Sequence, residues 1–187
     1  MPHIALNVTF GAAAYAALRA RLGPALARPR AMFTIEPLMA TGVFPRTGDL
    51  VADLRMIDQV WRVQQRSMLV AEGGDATLSL LLAGAPQARL ACDDDAPRVE
   101  LTAAAQAALV AEYAGREQPS ACGLLLSSLS AARDLGVGDV VQERAVSRHM
   151  FLIEERLFLW TAANQVRVRY LLDLGMKPEE RQQLQAQ

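Results

Sequence analysis

Pro2 has the most chemical interest in this sequence. Once Met1 is removed it becomes a secondary amine at the chain terminus. Such an amine works as a general base when a partly apolar setting lowers its pKa. The other reactive residue types are poorly placed to act together. His3 and His149 are the only histidines, and neither has carboxylates or thiolates at ligand spacing, which a metal site would need. Asp93-Asp94-Asp95 could face a hard cation but lacks the glycine and distal glutamate of a calcium loop, so a solvated acidic turn is expected. Ser127, Ser128 and Ser130 stand in no nucleophile-elbow pattern. Gly136-Val137-Gly138 is not followed by the residues of a phosphate loop. Cys92 and Cys122 make neither a ligand pair nor a disulfide framework, which fits a reducing compartment. No metal and no cofactor are expected.

The elements that would position these residues come from periodicity. His3 to Thr9 alternates loosely, with Ile4, Leu6 and Val8 apolar, and predicts a first strand. Gly11 to Leu22 then carries Ala12, Tyr15, Leu18 and Leu22 at helical spacing. Pro37 punctuates the apolar stretch 32–39, and 40–49 reads as loop. Val60 to Val63 predicts a strand. Ser67–Glu72, Gly73-Gly74-Asp75 and Ala76–Leu82 predict a hairpin, because Gly-Gly supplies the turn dihedrals. Thr102 to Tyr113 is alanine-rich and helical, with Leu101, Leu109 and Tyr113 free to face a core.

In the last third, Ser130–Leu135 predicts a short helix and Val140-Val141 extended backbone. Met150–Ile153 predicts a strand bounded by Glu154-Glu155-Arg156. Leu157 to Asp173 predicts a hairpin in which Asn164 takes a positive φ. Its second strand puts Val166, Val168, Tyr170 and Leu172 on one face, and Arg167, Arg169, Leu171 and Asp173 on the other. Phe151, Phe158 and Trp160 form an aromatic group that could be core or could anchor a partner, with core the weightier reading. Pro178 to Gln187 predicts a polar tail. No internal repeat emerges.

Composition narrows the classes. The chain has 187 residues, 52% of them hydrophobic, so it is long enough and apolar enough to bury a core. A net charge of −1 and the lack of a basic stripe argue against nucleic acid. No apolar run approaches the roughly 20 residues of a membrane span. No secretory leader pattern is present, so a cytoplasmic location is expected. A single lysine beside eighteen arginines suggests a GC-rich bacterial genome.

Two resemblances add to this. The stretch from Leu129 through Leu135, Val137, Gly138, Asp139, Val140 and Val141, followed by apolar strands, resembles the SpoA domain of flagellar motor-switch proteins and of type III secretion cytoplasmic-ring subunits. That resemblance implies an intertwined β dimer, with Gly136, Gly138 and Asp139 making the turn. It also implies that Phe151, Phe158, Trp160, Val168 and Tyr170 bind a second copy or another SpoA-like chain. The opening Met1–Val8, followed by a helix, and the loop Ala40–Pro45 resemble 5-carboxymethyl-2-hydroxymuconate isomerase-like tautomerases. That would make Pro2 the base and Arg46 or Arg55 the carboxylate-binding group.

The expected architecture is α+β. A mixed α/β domain spans 1–115, a SpoA-like antiparallel meander spans 120–176, and a polar tail spans 177–187. The leading expectation is a non-enzymatic scaffold subunit of a type III secretion or flagellar-type ring. A Pro2-dependent tautomerase is the alternative, and a globular bacterial protein of some other activity is the third.

Overall fold

A computed structural model of the chain describes residues 3–24, 33–55, 57–117, 135–142 and 147–175. Pro2, Cys122, the predicted helix up to Asp134 and the polar tail lie outside the described residues. Among those described, eight strands and three helices make an α+β fold. In chain order they are β1 (Ile4–Phe10), α1 (Ala12–Leu22), α2 (Ile35–Thr41), β2 (Leu50–Asp53), β3 (Ile57–Val70), β4 (Ala76–Gly84), β5 (Val99–Leu101), α3 (Ala103–Glu112), β6 (Val140–Val141), β7 (Phe151–Trp160) and β8 (Val166–Leu174). No helix of the described residues is long and apolar enough to cross a membrane. The chain divides into two compact units: Met1–Ala96 with Leu157–Val168, and Pro97–Arg156 with Arg169–Gln187.

In the first unit β1 runs parallel to β4, from Ile4 opposite Ala76 to Phe10 opposite Leu82. β3 is antiparallel to β4 and to β2. β2 in turn lies parallel to the end of β7, with Leu50 opposite Leu157 and Asp53 opposite Trp160. The alternation of β4 sends Leu78, Leu80 and Leu82 inward, as the period of two requires. There they meet Val8 and Phe10 of β1, Ala14 and Leu18 of α1, and Trp61 and Val63 of β3. Phe33, Trp61 and Trp160 pack edge to face, with Phe33 centred 6.0 Å from Trp61 and 5.0 Å from Trp160. Such quadrupole-aligned pairs add to the burial of the rings themselves. Pro37 is accommodated because it falls in the first turn of α2, where its missing N–H would have had no helical partner.

In the second unit β6 is antiparallel to β7 and β5 is parallel to β8. Thr102 caps α3 by accepting a 3.2 Å hydrogen bond from the Ala105 amide. Its hydroxyl also donates to the Asp173 carboxylate. Val99, Ala105, Leu109, Val141, Phe151, Ile153 and Leu172 form the core, flanked by Leu101, Tyr113, Leu135 and Tyr170.

The chain carries the same module twice, once in 4–84 and once in 99–174. From the turn before β2 to the end of β4, residue n corresponds to residue n+90 between the turn before β6 and the end of β8. Val51 faces Trp61 as Val141 faces Phe151. The Gly11 amide donates to the Leu82 carbonyl over 2.8 Å, and the Thr102 amide donates to that of Leu172 over 2.9 Å. Within the strand–helix segment the offset is 91, placing Val8 with Val99, Ala14 with Ala105 and Leu18 with Leu109. The cores therefore correspond position by position. Sequence identity between 46–84 and 136–174 survives only at Gly48/Gly138, Asp49/Asp139, Val51/Val141, Arg66/Arg156, Leu69/Leu159, Leu81/Leu171 and Leu82/Leu172.

Three expectations are corrected. Met150–Ile153 is not a separate strand ended by charged residues, because β7 continues through Glu154-Glu155-Arg156 to Trp160. Glu155 and Arg156 are themselves buried, and the Arg156 guanidinium donates to the Leu135 carbonyl. β8 is not half-buried with Arg169 and Leu171 on an open face, since both are buried. Arg169 pairs with Glu100 and donates to the Pro97 carbonyl at 3.2 Å. The strands predicted at 60–63 and 67–72 are one long β3. The hairpin turns are as predicted: Gly74 has φ 86° and Asn164, the one described non-glycine residue with positive φ, has φ 55°.

Candidate functional site: a duplicated turn and its hairpin arm

Each repeat places a Gly-Asp pair immediately before a short strand. Gly48 has φ 95° and Gly138 φ 92°, a region that penalises any residue with a Cβ. In both, the glycine amide donates across to the facing long strand, to Val63 and Ile153 respectively, at 2.9 Å. That strand returns an amide bond to the aspartate carbonyl, at 2.8 Å for Asp49 and 2.9 Å for Asp139. The aspartate carboxylate closes the turn by accepting the amide three residues back, Arg46 at 2.5 Å and Gly136 at 2.7 Å. A short acceptor side chain that returns to a nearby backbone amide stabilises the bend, which explains why the pair Gly-Asp is kept where almost nothing else is. Asp49 is buried while Asp139 is exposed.

The long strand after the turn ends in a hairpin arm, Ser67–Leu78 in the first repeat and Leu157–Val168 in the second. Both arms turn through five residues with the same closing bond: Ala71 amide to Asp75 carbonyl at 2.8 Å, and Thr161 amide to Gln165 carbonyl at 2.9 Å. Their surroundings differ. The second arm belongs to the first compact unit, where Leu157, Phe158, Leu159 and Trp160 are 0% exposed. β2 holds it along one edge. Beyond β2, the Leu54 amide donates to the Trp160 carbonyl at 2.9 Å. The Trp160 indole donates to the Thr34 carbonyl at 3.0 Å.

Arg55 fastens the tip. Its Nε and Nη2 donate to the Asp53 carboxylate at 2.9 and 2.6 Å, and its Nη1 donates to Asn164 Oδ1 at 2.8 Å. The hydrogen bond to Asp53 raises the guanidinium's pKa above its ordinary value, with desolvation opposing and the carboxylate charge assisting. The first arm differs: its tip holds the His3 amide, accepted by Asp75 Oδ1 at 2.8 Å, and Met68, Leu69 and Val70 are 42%, 73% and 63% exposed.

The residues singled out in the sequence can now be placed. Phe158 and Trp160 lie in the core of the first unit and Phe151 in that of the second, while Val168 and Tyr170 are half-buried against the two cores. Gly136, Gly138 and Asp139 lie in the turn before β6, where the Asp139 amide donates to the Gly136 carbonyl at 3.1 Å. Arg46 sits in the first-repeat turn and Arg55 is bound to Asp53 and Asn164. Asp93-Asp94-Asp95 is a loop in which Asp94 pairs with Arg167 at 3.0 Å. His149 stands 3.6 Å from Glu112, whose carboxylate also accepts the Ser147 hydroxyl at 2.6 Å and the Arg148 amide at 3.0 Å. Serine, histidine and glutamate thus meet, but the serine donates directly to the carboxylate. A nucleophilic triad requires the imidazole between them, so this cluster lacks triad geometry and ties α3 to the segment before β7. Sequence reasoning missed the first-repeat turn Arg46–Asp49. Its signal was the shared Gly-Asp followed by two apolar residues.

Comparison of the chain with protein families, curated proteins and solved structures finds no match.

Proposed function

We propose that the chain is a non-enzymatic scaffold subunit of a cytoplasmic ring of the type III secretion or flagellar kind, built from SpoA-like β modules. One observation carries this reading. The Gly-Asp turn, strand and hairpin that gave the resemblance occur twice, and the second hairpin arm is buried in a compact unit with the first repeat. On this reading, the intertwining expected of two SpoA-like chains takes place within one.

The work done is burial rather than chemistry. Four consecutive fully buried residues on the arm, two of them aromatic, contribute on the order of 1.5–3 kcal/mol each against an exposed reference. The parallel edge with β2 fixes the register. A pre-formed double module of this kind is a rigid brick, and its remaining surface is what a ring would use. On this reading β6, β7 and β8 are the antiparallel meander of the SpoA-like part, and the chain works in the cytoplasm with another SpoA-like chain as partner.

The test is association of the purified full chain with SpoA-domain ring proteins, followed by light scattering and calorimetry. A stable complex of defined stoichiometry is expected. A strict monomer at high micromolar concentration that takes up no SpoA-containing partner overturns the reading.

A further inference from the structure

Among the described residues, the duplication leaves two edges half used. β2 is paired on both sides, antiparallel with β3 and parallel with β7. Its counterpart β6 pairs, among the described residues, with β7 alone. The segment of β7 that receives β2, Leu157–Trp160, has Ser67–Val70 of β3 as its counterpart. Among the described residues that segment pairs with β4 alone, from Gln65 opposite Leu81 to Val70 opposite Ala76. Gln64 to Val70 are all exposed, and the run ends on the apolar Met68-Leu69-Val70. An open, apolar strand edge is a template for pairing with another chain. The filled edge in the same molecule shows what such a template accepts: a parallel strand that follows a Gly-Asp turn.

We infer that the Ser67–Val70 edge of β3 is a self-association site, and that its occupant is the β6 strand of a second copy of this chain. The 90-residue correspondence fixes the register. Leu50 opposite Leu157, Val51 opposite Phe158 and Ala52 opposite Leu159 translate to Val140 of one copy opposite Ser67 of the other, Val141 opposite Met68, and Gln142 opposite Leu69. Charge does not oppose this, since neither segment carries an acidic or basic side chain. The contact joins two different surfaces, so it closes as a reciprocal pair or propagates from copy to copy. It rests on the duplicated geometry and not on which apparatus the protein serves.

Disulfide trapping on the full-length chain tests it, in a background with Cys92 and Cys122 replaced by serine. Leu69→Cys and Gln142→Cys are made as separate proteins and mixed under mild oxidation. A mixed disulfide forming several-fold faster than either self-disulfide is expected. Faster linking of two Leu69→Cys chains indicates edge-to-edge pairing of β3 and overturns the inference. So does a double variant that cross-links only within one chain at all concentrations.

Light scattering gives the second reading. Leu69→Lys changes a side chain that is 73% exposed, so the fold is kept, and the self-dissociation constant is expected to rise about tenfold or more. An unchanged constant, or a monomer at every concentration in the parent chain, overturns the inference. Loss of self-association in Leu69→Lys with binding to SpoA-domain proteins intact separates this edge from the ring reading. The converse failure, self-association without any SpoA-domain partner, leaves the edge standing and removes the ring.

Discussion

The two hairpin arms have one backbone and opposite fates. Both follow a long strand, both turn through five residues with a positive φ at the fourth, and both return as a nine-residue strand. The second arm reads Leu-Phe-Leu-Trp and is buried; the first reads Ser-Met-Leu-Val and is exposed. Asn164 gives the second tip an amide oxygen for Arg55 to hold. Gly74, at the same place in the first, satisfies the turn and offers nothing to hold. The comparison separates what makes a hairpin from what makes an anchor. Turn chemistry and alternation suffice for the first; the second needs aromatic volume, since both tips have a polar partner, Asn164 in Arg55 and Asp75 in the His3 amide.

The sharpest way to break this comparison is to remove the anchor. Trp160→Ala deletes a fully buried indole with an edge-to-face partner and a hydrogen bond, and a loss of about 3–5 kcal/mol is expected. Val70→Ala, at the matching position, changes a side chain that is 63% exposed, and about 0.5 kcal/mol or less is expected. Urea denaturation of both variants measures the contrast. Comparable losses would mean that the first arm is anchored too.

Next in size is the one charged residue that both arms' strands share. Arg66 is exposed and Arg156 is fully buried, donating to the Leu135 carbonyl. Arg156→Leu leaves that half-buried carbonyl without this donor, at a cost of about 1–3 kcal/mol. Arg66→Leu should be near neutral by the same denaturation assay.

The turn chemistry of this fold was legible in the sequence because it is local. Gly73-Gly74 and Asn164 announce their hairpins, and spacing announces α1 and α3, whereas α2 was hidden by Pro37 within its first turn. What was illegible is non-local. Glu154-Glu155-Arg156 reads as the end of a strand because charge usually marks solvent. Only the tertiary fold supplies Leu135 as a partner for Arg156, and Glu100 for Arg169. The repeat was hidden for a different reason: its cores conserve size and polarity, not identity, as with Trp61 and Phe151 or Leu80 and Tyr170. The one-residue slip between the strand–helix segment and the rest further blurs a fixed-period search. Of the candidate site, the second Gly-Asp turn was legible and the first was passed over as loop.

The turns are the next comparison to sharpen. An added Cβ at Gly48 or Gly138 meets nothing within 4 Å, so the only cost of Gly→Ala at either is the positive φ, about 1–2 kcal/mol. Equal losses in the two variants are expected from the shared geometry. A marked inequality would show that burial of Asp49, against exposure of Asp139, adds a second term.

The smallest predicted effect lies where the repeats differ most. Glu112 of α3 ties down Ser147, Arg148 and His149, and the first repeat has Arg21 at the corresponding place. Burial works to raise the Glu112 pKa. The hydrogen bonds from the Ser147 hydroxyl and the Arg148 amide, with the nearby positive charges of His149 and Arg148, outweigh it and hold the group below the ordinary carboxylate value. A carboxylate whose folded pKa is depressed contributes stability above its unfolded pKa and loses that contribution as pH falls through the folded value. The urea midpoint should therefore decline on acidification below about pH 4–5, and the decline should be shallower in Glu112→Gln, which keeps the side chain's shape without its charge. A Glu112→Gln profile parallel to that of the parent chain would mean that the carboxylate's charge contributes nothing, and that the Ser147 and Arg148 hydrogen bonds alone make this corner of the second repeat.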